Sequence, residues 1–76
     1  MKRFWFAHVR GEEIHNSGSL VAGTLPEALR CVARRGLPST GDRLDIGMEG
    51  FPPARYECVF QDVDVPLAWR LVNQMN

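Results

Sequence analysis

The chain has 76 residues, 45% hydrophobic and 24% charged, with nine basic residues balanced by nine acidic ones. That length confines it to one small domain, whose core buries only about 60% of the unfolded surface. Zero net charge removes the positive excess on which non-specific nucleic-acid binding rests, and no apolar run approaches the roughly 20 residues that span a bilayer.

The apolar stretch in Met1-Lys-Arg-Phe-Trp-Phe6 is too short for a signal peptide, so the expected location is cytoplasmic. Phe4, Phe6 and His8 alternate with Trp5, Ala7 and Val9, a strand pattern with apolar groups on both faces. Arg10-Gly-Glu-Glu13 supplies a turn, and a second strand from about Ile14 to Ala22 completes a hairpin, with a bulge or close approach expected at Gly18. Thr24 is an N-cap with Glu27 three residues on, a capping box, and Pro26 falls in the first helical turn. Leu25, Ala28, Leu29 and Val32 form an apolar stripe, Arg34 and Arg35 close the last turn, and Gly36 follows as C′, which predicts a helix over 25–35.

Leu37-Pro-Ser-Thr-Gly41 links to a third strand, in which Leu44, Ile46 and Met48 alternate with Arg43, Asp45, Gly47 and Glu49. Gly50-Phe-Pro-Pro53 is a turn, and Tyr56, Cys58 and Phe60 mark a fourth strand against Arg55, Glu57, Val59 and Gln61. Asp64 then reads as the cap of a closing helix, with Val65, Ala68, Trp69 and Val72 on its stripe.

The second helix is suggested by a repeat. Thr24-Leu-Pro-Glu-Ala-Leu-Arg-Cys-Val32 and Asp64-Val-Pro-Leu-Ala-Trp-Arg-Leu-Val72 share four of nine residues at an offset of forty, and the same offset pairs Arg3–Phe6 with Arg43–Ile46. The expectation is a single α+β domain, 1–76, built from two ββα halves over about 2–36 and 42–76. Its four-stranded antiparallel sheet would carry both helices on one face. Phe4 and Phe6, matched to Leu44 and Ile46, belong to the core with Leu29, Val32, Tyr56, Phe60, Trp69 and Val72. Trp5 then faces the open side of the sheet.

Little in the chain reads as catalysis. His8 falls at core parity and His15 at open-face parity, and their spacings with Cys31 and Cys58 match no zinc pattern. The two cysteines lack a CxxC spacing and are expected as free buried thiols. Glu12-Glu13 lies in a turn and Asp62 and Asp64 precede a helix start, positions where acids are solvated or favour a helix dipole. No glycine-rich phosphate loop is present. The expectation is no enzyme, no metal and no cofactor.

The candidate binding residues are Arg3, Trp5, Arg43, Arg55 and Val59 on the open sheet face, and Phe51 at a hairpin tip stiffened by Pro52 and Pro53. A large aromatic among mixed charges suits the anchor and rim of a protein interface. Direct nucleic-acid binding, through that face or through Arg30, Arg34 and Arg35 of the helix, is the alternative. One aromatic and several acids make the sheet a poor stacking platform.

Eight of the nine basic residues are Arg. In size, Arg-rich composition and lone sheet-and-helix layout, the chain resembles small phage- or mobile-element-encoded inhibitors of the anti-CRISPR type. The resemblance is one of format and transfers no site residue. It implies a non-catalytic protein that docks on a bacterial nucleic-acid-handling complex and blocks it sterically.

Overall fold

The computed structural model describes residues 1–60 and 67–74. Five strands and one helix follow in the order β1 (Lys2–Arg10), β2 (Glu13–Ala22), α1 (Leu25–Arg35), β3 (Arg43–Met48), β4 (Ala54–Phe60) and β5 (Leu67–Gln74). All strands lie in one antiparallel sheet of order β2-β1-β3-β4-β5.

The helix has the predicted bounds for the predicted reason. Thr24 is extended, and its Oγ1 accepts from the Glu27 N–H at 3.3 Å, while the Glu27 carboxylate accepts from the Gly23 N–H at 3.0 Å. Two N–H groups at the helix entrance are thus satisfied by side chains. Ala28 and Val32 are fully buried where α1 packs on β2 and β1.

The two-helix, four-stranded layout is incorrect. The described residues form one helix and five strands, and residues 67–74 extend the sheet as β5 instead of covering it as a helix. The repeat carried helix-start grammar without the whole cap: Leu67 stands where the first copy has Glu27, so no capping box can form there. β4 also needs a partner for its outer backbone groups, and β5 supplies one from Phe60↔Leu67 to Ala54↔Gln74. The expected cap Asp64 lies outside the described residues, as does the side chain of Phe60. Val72, predicted in the core, is 54% exposed, and Trp69 is half-buried. The first half of the chain is ββα as expected; the described part of the second is three strands.

The core lies between α1 and the sheet face bearing Phe4, Phe6, Leu20, Leu44, Ile46 and Tyr56, all of them buried. Leu29 packs at its margin. Among the described residues a single helix lies over the β2–β1 side and leaves part of that face uncovered. A groove of about 230 Å³ remains, lined by Phe4, Leu25, Ile46, Met48, Tyr56 and Leu71, with Lys2 and Phe51 also bordering it.

Candidate functional site

The sheet face opposite α1 carries the sequence-predicted surface. Trp5 pairs with Gly47 across the β1–β3 register and is 43% exposed. Its indole lies over the glycine: a Cβ added at Gly47 would come 2.5 Å from Trp5 Cε2. Gly47 is thus the residue that lets a large ring lie down on the sheet.

The next rows toward the Gly41 end are charged. Asp45 accepts from Arg55 Nε at 2.8 Å and Nη2 at 3.3 Å, and Arg43 Nε stands 3.6 Å from the same carboxylate. Glu57 holds Arg70 at 3.1 Å. The Asp45 pair holds the Arg55 guanidinium above its usual range, first through the hydrogen bonds and then through charge. These pairs follow from register, since Asp45↔Arg55 and Glu57↔Arg70 are directly opposite.

Of the predicted binding residues, Arg3, Trp5, Arg43 and Arg55 share this face. Arg3 forms no ion pair with a described residue. Val59, half-buried, stands near the far end of β4 from the Trp5 row. Phe51 is 65% exposed at the β3–β4 hairpin but borders the groove on the helix side. It does not join Trp5.

A second cluster, on the core face at the Gly41 end, holds most of the buried polar chemistry. His8 Nε2 lies 2.7 Å from Asp42 Oδ2, and both residues are buried. Arg10 donates to both Asp42 oxygens, at 3.1 and 3.0 Å, and to the Leu37 carbonyl at 3.0 Å; the Ser39 N–H donates to Asp42 Oδ2 at 2.8 Å. Burial alone would raise the Asp42 pKa. The bonds from Arg10, Ser39 and His8 outweigh it and hold the carboxyl well below the usual carboxylate range. Asp42 is therefore ionised, and His8 Nε2 carries the proton it shares. Nδ1 of His8 has no described partner.

Trp69 and His15 pack edge-on against His8, with ring centroids at 5.3 and 4.8 Å. The placement of His15 on the open face is corrected here. The β1–β2 register shifts between His8 and Val9, leaving His15 without a Cα partner and turning its ring to the helix side. There it meets Gly36, where an added Cβ would lie 3.3 Å from the imidazole.

Cys58 completes the set of groups found in a thiol–imidazole–carboxylate constellation, but its environment opposes nucleophilic chemistry. Burial first, and the Asp42 charge second, push the Cys58 thiol up. Thiolate is the reactive form, so this is an inert setting. Among the described residues no group of three or more His, Cys, Asp and Glu side chains could hold a metal ion. The geometry makes Asp42 a latch that ties β1 and the 37–41 linker to the start of β3. Sequence reasoning missed it. The available signal was parity: Asp42 continues the core series Leu44, Ile46, Met48, and a core-parity acid beside a core-parity His8 and Arg10 implies a buried pair.

No helix among the described residues is long and apolar enough to cross a membrane. No protein-family model, curated protein or solved structure matches the chain.

Proposed function

We propose that the chain is a non-catalytic module that binds another protein through the open sheet face, with Trp5 as its anchor. The carrying observation is the seat of Trp5: a half-exposed indole fixed over Gly47, beside a charge network in which Asp45 and Glu57 engage three arginines. A ring held in place loses little entropy on binding, and Trp is enriched at interface hot spots. The ion pairs favour protein over nucleic acid, because the carboxylates of Asp45 and Glu57, hydrogen-bonded to Arg55 and Arg70, reduce the positive charge this face offers to phosphates. In its finer form the reading is a steric inhibitor of a bacterial nucleic-acid-handling complex, which rests on size and Arg-rich composition.

Capture from bacterial lysate with and without nuclease, comparing wild type with Trp5→Ala, tests this. The expected partner survives nuclease and is lost with Trp5→Ala, a weakening of about 2 kcal/mol or more, with mild salt dependence. Retention that needs nucleic acid and collapses between low and moderate salt favours a nucleic-acid-binding regulator. Full binding by Trp5→Ala overturns the open-face reading.

A further inference from the structure

We propose that two copies of this chain pair edge to edge through β5, antiparallel and centred on Trp69, to make one continuous sheet. β5 ends the sheet, and no described strand pairs with its outer side.

The direction of its backbone groups follows from β4. Cys58 donates its N–H to the Asp42 carbonyl and accepts from the Gly41 N–H, so its polar groups face β3. Alternation turns those of Glu57 and Val59 toward β5, where they meet Arg70 and Ala68. The N–H and C=O groups of Leu67, Trp69 and Leu71 therefore point outward, away from the sheet.

Among the described residues this edge carries little protection from Leu67 to Leu71, short of the register shift at Val72. It contains no proline, and its one charged residue, Arg70, is held by Glu57. The opposite edge, β2, differs. Its register is broken beside His15, its side chains Glu13, Asn16, Ser17 and Ser19 are polar, and the Ser19 carbonyl already accepts from Arg35 at 2.9 Å.

What suits a second copy is the apolar character and charge spacing of this segment. The outward-bonding residues Leu67, Trp69 and Leu71 are all apolar. A two-fold through Trp69 sets Leu67 opposite Leu71, Trp69 opposite Trp69, and Arg70 opposite Ala68, so like charges are kept apart. Every outward group of the three finds a partner, and the chain's zero net charge adds no repulsion. Beyond Leu71 the β4–β5 register shifts, with Val72 as the extra residue, which limits the pairing to this segment. The pairing is isologous and closed, so it stops at two copies.

Sedimentation equilibrium and amide exchange test the proposal. At about 100 µM the wild type is expected at twice its 8.6 kDa mass, because a strand-edge contact lies at the small, weak end of interfaces. Leu71→Pro removes an outward N–H while sparing the β4 ladder, and is expected to be monomeric; Trp5→Ala is expected to remain dimeric. A monomeric wild type at that concentration, or a dimeric Leu71→Pro, overturns the proposal. Should Leu71→Pro fail to fold, exchange of the wild type decides. The Trp69 and Leu71 amides are expected to slow as concentration rises, and concentration-independent exchange at both overturns the pairing.

Discussion

Trp5 and Gly47 form one unit: the ring occupies the volume into which any side chain at position 47 would project. Gly47→Ala must therefore displace the indole or part the strands. It is expected to lower stability by about 1–3 kcal/mol, as overpacking does. In a Trp5→Ala background the same change should cost much less, and a denaturant double-mutant cycle reads the difference. Additive costs would show that the two residues do not share this space.

Asp42 gives the fold a defined acid sensitivity. Folded Asp42 binds its proton less tightly than an unfolded aspartate, whose pKa is about 3.9. Below that pH the unfolded chain takes up a proton that the folded chain refuses, so stability falls. Above it the contribution is present in full. Asp42→Asn is expected to flatten the acid limb of a stability–pH curve. At neutral pH the substitution is also expected to lower stability, because it removes the charge that accepts from Arg10, Ser39 and His8. An unchanged acid limb in the variant would remove Asp42 as its source.

How far the sequence reveals these features depends on whether the signal is local. The capping box at Thr24 and Glu27 and the alternation in β3 are set by neighbours in the chain, and both were readable; the open-face placement of Trp5 followed only through the match of Phe4 and Phe6 to Leu44 and Ile46. β5 was not readable. Helix-start grammar at Asp64 and Pro66 precedes it, and the competing term is the outer edge of β4, whose need of a partner no local pattern displays. The turn of His15 to the helix side depends on a register shift against β1. The Asp42 latch joins residues more than thirty positions apart: parity marks Asp42, His8 and Arg10 as core-facing, but which of them meet depends on the β1–β3 register.

The two thiols should separate by reactivity. Cys31 is partly exposed on α1, whereas Cys58 is buried with its thiol pushed up. At neutral pH a disulfide reagent is expected to titrate one thiol in the native protein and the second only on unfolding. Cys31→Ser should abolish the native reaction. Prompt native labelling of Cys58 would instead mean that the core face near Asp42 opens readily.

Substitutions on the two sides of the sheet distinguish the observed fold from the two-helix layout. Ile46 is buried on the core face of β3, so Ile46→Ala is expected to cost about 2–5 kcal/mol, much of the stability of a small domain. Val72 would be as sensitive if residues 67–74 packed as a helix on the core. In β5 it is more than half exposed and is the extra residue at a register shift. Val72→Thr is therefore expected to change stability by no more than about 0.5 kcal/mol, as surface substitutions do. Urea titrations of the two variants give both numbers. A cost at Val72 comparable to that at Ile46 would place its side chain in the core and overturn the five-stranded assignment.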